Sequence, residues 1–304
     1  MNQRFGIALT PLAVAIFAST AVAPESSPPE YTVRATDYAF EAPAEVPAGP
    51  ATFRLVNEGS ELHHAVLVRL GDGHTADELK EHLVAQDVRA PGQPELPTWA
   101  TLLGGPNATR PGGGEAVATV PLRPGSYAWI CVVHSPKDGV PHYEQGMIEG
   151  MEVTPGQRAD LPDADMLMRL TDYDFDLSDP LTPGTHTIRV RNYAAQPHEV
   201  VIFKLAPDRT PQDLEHYMEA LLNPGTPVPE GPPPAAPVGG VSPIAQGEAN
   251  NMTLQVSPGT YVLLCVLPDA GDGRLHVAHG MRKVITVETS AGSADSGAGW
   301  TGAE

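Results

Sequence analysis

The chain has 304 residues, a net charge of −19, 33 prolines, 30 glycines and only two cysteines. So acidic a protein repels nucleic acid and anionic membranes, which excludes both as partners and leaves a basic protein partner or a generally salt-adapted surface. In an oxidising compartment two cysteines would ordinarily suggest one disulfide.

Residues 1–23 begin with Arg4, continue through Ile7, Leu9, Leu12, Val14, Ile16 and Phe17, and end in Ala21-Val22-Ala23, the pattern of a secretory signal peptide. Cleavage is expected after Ala21 or Ala23. The run is shorter than a membrane span, and no later apolar stretch approaches about eighteen residues. A secreted or periplasmic protein without membrane insertion is therefore expected.

From there the chain repeats itself. TDYAF at 36–40 falls on TDYDF at 171–175, ATFRLVN at 51–57 on HTIRVRN at 186–192, and HHAVLVRL at 63–70 on HEVVIFKL at 198–205, all at an offset of 135. The offset is 134 for PGSYAWICVV at 124–133 against PGTYVLLCVL at 258–267. One small gap over a whole domain indicates tandem duplication. It predicts domains at 28–156 and 164–289, each large enough for its own core, and a flexible small-residue tail at 290–304.

Within each half the pattern is mostly strand. Phe53 and Leu55 alternate with polar neighbours, as do Val66, Val68 and Leu70, and then Ala116, Ala118 and Val120. PGSY and PGTY are turns that launch the apolar runs YAWICVV and YVLLCVL. One helix interrupts each half: Thr75 and Glu78 form a capping-box signature before Leu79 and Leu83, and Thr210-Pro211 precedes Leu214 and Met218. A Pro/Gly-rich stretch follows each helix, clearest in NPGTPVPEGPPPAAPVGG at 223–240, and reads as too proline-rich to pair inside a sheet. The expected fold is all-β: two tandem Greek-key β-sandwiches, each with one short helical insertion.

The repeat filters the eleven histidines. His74, His82, His134, His186, His216 and His279 have no histidine counterpart and read as local surface residues. His63 pairs with His198, His142 with His276, Cys131 with Cys265 and Met147 with Met281. Each half thus repeats His, Cys, His, Met. Cores of separate halves would hold the two cysteines too far apart for a bridge, which needs Cα atoms within about 7 Å. A buried, inert cysteine would explain the thiol but not its companions. Two imidazoles, a thiolate and a weak thioether are the donor set of a blue-copper electron-transfer site.

In this arrangement the chain resembles the cupredoxin family, whose β-sandwiches take one histidine from an early strand and Cys, His and Met from the loop joining the last two strands. The resemblance covers nearly the whole chain after residue 23. It implies up to two copper ions, one held by His63, Cys131, His142 and Met147 and the other by His198, Cys265, His276 and Met281. The Cys-to-His spacing is eleven residues in both halves, longer than in plastocyanins and azurins. Asp138-Gly139 and Asp272-Gly273 offer a tight turn that folds this longer loop back. Catalytic copper sites in related two-domain enzymes need additional histidines, yet Ile130 and Val132, and Leu264 and Val266, flank the cysteines and no His-x-His occurs. The expected function is therefore non-enzymatic single-electron transfer with a redox partner protein, a basic cytochrome-like one being favoured by charge. A copper store or a metal-free sandwich is the alternative.

Overall fold

The computed structural model describes residues 27–86, 95–157, 160–222 and 226–289. The expected signal segment and tail lie outside the described residues. The first half contains β1 (Glu30–Thr36), β2 (Ala39–Glu41), β3 (Glu45–Pro47), β4 (Gly49–Asn57), β5 (Val66–Leu70), α1 (Ala76–Val84), β6 (Ala100–Leu102), β7 (Gly114–Leu122), β8 (Gly125–Ile130), the single turn α2 (His142–Gln145) and β9 (Ile148–Thr154). The second half contains β10 (Met166–Thr171), β11 (Asp174–Leu177), β12 (Gly184–Asn192), β13 (His198–Leu205), α3 (Pro211–Leu222), β14 (Ala235–Ile244), β15 (Ala249–Val256), β16 (Gly259–Leu264), a 3-10 turn at His276–His279 and β17 (Arg282–Val287).

The predicted alternation becomes the sandwich interior. Ala51, Phe53 and Leu55 of β4 pack inward with Trp129 of β8, and the Phe53 ring meets the Trp129 ring edge-on at 4.8 Å. The apolar runs after each Pro-Gly form β8 and β16, which lie inside their sheets and are buried over their last four residues. Thr75 and Glu78 cap α1 reciprocally as expected. At α3 the equivalent exchange runs between Thr210 and Asp213. Two features differ from the sequence reading. His142 opens an additional helical turn, and Ala235–Ile244, the end of the proline-rich stretch, does pair as β14. β14 is the terminal strand of its four-stranded sheet, and its register is irregular between Ile202 and Phe203 at Pro237, where a proline costs the ladder least.

The two sandwiches are not beads on a string. Strands β2-β1-β4-β7 of the first half continue directly into β15-β12-β10-β11 of the second, forming one eight-stranded sheet. The remaining strands form two outer sheets, β3-β9-β8-β5-β6 and β14-β13-β16-β17. At the join Val117 pairs with Thr253 and Thr119 with Asn251, although the repeat equates Val117 with Asn251 and Thr119 with Thr253. The same exchange occurs where Leu103 bridges Ile244, Pro106 bridges Val241 and Thr109 bridges Val238. Equivalent segments thus meet antiparallel about an approximate two-fold axis, the geometry of an isologous dimer interface.

Polar groups close this joint. Ser242 N donates to Gly105 O and, in the mirrored position, Asn107 N donates to Gly240 O. The Asn107 amide also donates to Val241 O at 3.0 Å, Val200 O at 3.2 Å and the Glu199 carboxylate at 3.0 Å. Asn107 and Glu199 are buried, so removing the amide strands several acceptors away from water. Asn107→Ala is expected to lower the unfolding free energy by about 3 kcal/mol, read as a drop in the denaturant midpoint. The two-fold joint also predicts that chains 27–157 and 160–289, made separately, stay associated when mixed, as size-exclusion chromatography will report.

Candidate metal centres

The loop after each cysteine is a hairpin-like excursion built as the Asp-Gly dipeptides suggest. Gly139 lies at φ +72° and Gly273 at φ +73°, with Gly139 N bonded to Ser135 O and Gly273 N to Asp269 O. Asp138 and Asp272 accept from the amides two residues ahead. His134 pairs across the excursion with Pro141, and Pro268 with Leu275, so the eleven-residue spacing returns the chain to its starting point. His142 N then bonds Val133 O and His276 N bonds Leu267 O, both at 2.8 Å. A reversal at Gly146 or Gly280, both at positive φ, brings in the methionine. Its backbone closes the ring: Cys131 N donates to Met147 O and Met147 N to His142 O, with the same pair of bonds among Cys265, Met281 and His276.

The side chains converge accordingly. His63, Cys131 and His142 form one fully buried group and His198, Cys265 and His276 another. In the first, His63 Nδ1 and His142 Nδ1 lie 3.1 Å apart and Cys131 Sγ lies 3.5 Å from His142 Nδ1. In the second, the two Nδ1 atoms are 3.0 Å apart and Cys265 Sγ is 3.3 Å from His276 Nδ1 and 3.8 Å from His198 Nδ1. Met147 and Met281 are buried in the same apolar clusters as their cysteines. The cysteines are unbridged. His134 lies outside the first group, on the excursion. His74 stacks on Trp99, His82 and His186 face backbone carbonyls, and His279 faces Asp272, all as local surface residues.

The outward ring nitrogens fix the tautomers. His63 Nε2 faces Asp37 at 3.1 Å, His198 Nε2 faces Asp172 at 2.7 Å and His142 Nε2 faces Glu61 at 3.0 Å. Each carboxylate holds the proton on Nε2, so the Nδ1 lone pairs point inward. Burial lowers the pKa of every one of these imidazoles, to about 4 for His142 and His276, with the neighbouring histidine adding to the effect. Burial also pushes the Cys131 thiol up to about 12, and Cys265 in the same direction. Buried lone pairs aimed at one another across 3.1 Å repel unless a cation sits among them. The chemistry of the donor set fits copper, whose Cu(I) form suits thiolate and thioether and whose Cu(II) form suits imidazole.

A third group, Asp269, Asp272 and His279, has its ligand atoms close together at the rim of the second centre. Asp269 is already occupied, accepting from Tyr173, Gln196, Gly271 N and Asp272 N, and so belongs to the hydrogen-bonded wall of the loop.

No protein-family model matches the sequence, and no curated protein is significantly similar to it. Among solved structures, the chain is similar to a dithionite-reduced auracyanin from Roseiflexus castenholzii, with 26% identity over 40% of this chain and 95% of that one, at a TM-score of 0.28. Auracyanin A, described as a "blue" copper protein of Chloroflexus aurantiacus, shows 19% identity over 41% and 99% at a TM-score of 0.27. A blue copper oxidase from Nitrosomonas europaea shows 15% identity over 86% of each chain at a TM-score of 0.24. The strands and the paired donor groups of this chain fit a tandem cupredoxin-like arrangement with up to two copper sites.

The sequence reading passed over the outer partners. Asp37 and Asp172 stood in the aligned TDY motifs, and that repetition was a signal for a shared role. Glu61 left no such signal because its counterpart is Gln196. Since the imidazoles are neutral at pH 7 and the thiols are not ionised, copper(II) uptake is expected to release about one proton per site. Calorimetric loading in buffers of different ionisation enthalpy measures this number, and a value near zero would remove the thiolate from the ligand set.

Proposed function

We propose that this is an exported electron carrier with one type 1 copper site per half, held by His63, Cys131, His142 and Met147 and by His198, Cys265, His276 and Met281. The observation that supports this reading most is the duplicated, fully buried His/Cys/His group whose Nδ1 and Sγ atoms converge on one point in each half. A bound copper ion supplies one-electron chemistry between Cu(I) and Cu(II). The chain's own residues hold the donors still: backbone bonds tie each Cys, His and Met to one another, and carboxylates lock the rings. A donor set that does not rearrange lowers the cost of moving an electron. Tyr38 and Tyr173, whose rings lie 5.1 and 5.4 Å from those of His142 and His276, help to exclude water.

The non-enzymatic part of the reading rests on the neighbours of the cysteines. Ile130, Val132, Leu264 and Val266 offer no ligands for a further catalytic ion. The partner would therefore be a protein that gives or takes one electron, and the charge of −19 favours a basic, cytochrome-like one. Association with such a partner should slow as salt rises.

Copper-loaded, oxidised protein should contain two copper ions and absorb intensely in the visible range from the thiolate-to-copper(II) transition. Colourless protein that retains copper would indicate a Cu(I) store instead, and failure to retain copper would remove the metal reading. His142→Ala and His276→Ala should each abolish the spectrum of their own site, whereas His134→Ala and His279→Ala should leave it nearly unchanged. A collapse in His134→Ala with an intact His142→Ala would overturn the assignment.

A further inference from the structure

The two centres are copies, yet their surroundings differ at His64 against Glu199, which brace the backbone beside each cysteine, and at one buried contact to a histidine of the group itself. In the first, the ligand-set histidines are each backed by a carboxylate: His63 by Asp37, and His142 by Glu61 at 3.0 Å. In the second, His198 is backed by Asp172, but Gln196 replaces Glu61, and the nearest carboxylate to His276 Nε2 is Asp269 at 3.9 Å. Among the described residues His276 Nε2 has no hydrogen-bond partner.

The difference has a chemical direction. A carboxylate that accepts the outer N–H makes the imidazole a stronger donor through its inner nitrogen, which stabilises the more highly charged state of a bound metal. It also forbids an exchange of protons at the centre. With both Nε2 atoms protonated, His63 and His142 confront each other lone pair to lone pair, while His276 is free to carry its proton on Nδ1 and donate it to His198. The metal-free first centre is thus the more frustrated of the two. We propose that Glu61 is a positioning residue that makes the two sites inequivalent, so that the first-half site favours Cu(II) over Cu(I) at least tenfold more strongly than the second-half site. In protein carrying a single electron, that electron then resides in the second half.

Charge alone argues the other way, which makes the proposal testable in sign. Lys137 Nζ lies 2.8 Å from Glu61 and offsets its charge, whereas among the described residues no lysine or arginine pairs with Asp269 near the second site. The hydrogen bond prevails for two reasons. The Lys137 side chain is 62% exposed and screened by water while Glu61 is only 4% exposed. Asp269 spreads its charge over donors on both oxygens, Tyr173, Gln196 and two backbone amides, whereas Glu61 meets Tyr38, Ser135 and Lys137 through Oε1 and turns Oε2 to His142.

The inference rests on the copper reading above, and its test separates the two. Full-length Cys265→Ser keeps only the first site and Cys131→Ser only the second. Each is loaded with copper(II) and poised against a series of one-electron mediators, with the oxidised fraction read from visible absorption and electron paramagnetic resonance. At a poise where the second site is half reduced, the first is expected to be at least about nine-tenths oxidised, a tenfold ratio equivalent to 59 mV for one electron. Adding Glu61→Gln to the Cys265→Ser protein should remove most of this gap, and adding Lys137→Met should widen it, a pair of shifts that a merely structural role for Glu61 does not produce. Equal potentials, or a first site that is the more easily reduced, would overturn the inference while leaving the copper sites in place. Loss of copper from either single-site protein would instead sink the function on which it rests.

Discussion

Each half is organised around a buried conflict: a thiol and two imidazoles pressed together with their lone pairs inward and no apolar surface of their own to gain by it. Burial holds Cys131 far from ionisation and keeps His142 neutral, so the group is no ion pair, and the thiol proton is too little to satisfy all of its inward nitrogens. Uncompensated polar burial of this kind costs about 1–3 kcal/mol per group even when only partly unsatisfied. The sandwich supports it by rigid means. β8 and β16 fix the cysteines, β13 and the segment before β5 fix the first histidines, and the Asp-Gly excursion returns the second histidine and the methionine to the same point. Because folding assembles the donors, an arriving ion would not have to order them.

Much of this was legible in the sequence because duplication wrote it twice. His142 was separable from His134 only by the repeat, since His134 falls opposite Pro268 while His142 falls opposite His276. The turn in the long loop was legible from Asp138-Gly139, because glycine alone accepts φ near +72° at no cost. The capping box of α1 was equally local. What escaped was decided by partners distant in the chain. Nothing near Val117 announces pairing with Thr253, because a strand edge pairs with whichever edge the tertiary structure presents. The proline-rich run before Ile244 reads as a loop until β13 supplies an edge at which Pro237 needs to donate nothing.

The joint explains where the halves have diverged. In a two-fold interface between identical chains, each residue near the axis meets its own copy or its copy's neighbour. Once both copies lie in one chain, the two sides no longer need to match. His64 and Glu199 occupy equivalent positions, each directly after the first histidine of its group and each beside Asn107 at the joint. His64 accepts from Val132 N and Glu199 from Val266 N, so both brace the backbone beside the cysteine. Both meet Asn107, which hydrogen-bonds Glu199 and interacts with His64, so identical residues at the two positions would place two like groups in one buried region.

The same freedom reaches the outer rim of the centres. There the first half keeps Glu61, Ser135 and Lys137 where the second has Gln196, Asp269 and Gly271, so a carboxylate has in effect moved from the strand-side loop to the excursion. In both halves a tyrosine hydroxyl follows the acid: Tyr38 donates to Glu61 and Tyr173 to Asp269. The hydroxyl contact is conserved between the copies while the contact to the imidazole is not, because Glu61 reaches His142 Nε2 at 3.0 Å and Asp269 stops 3.9 Å from His276 Nε2. A shift of about one ångström converts a charge-assisted hydrogen bond into a through-space neighbour. Duplicated donor groups therefore need not have duplicated surroundings: the copies differ in the atoms that touch the far side of their histidines.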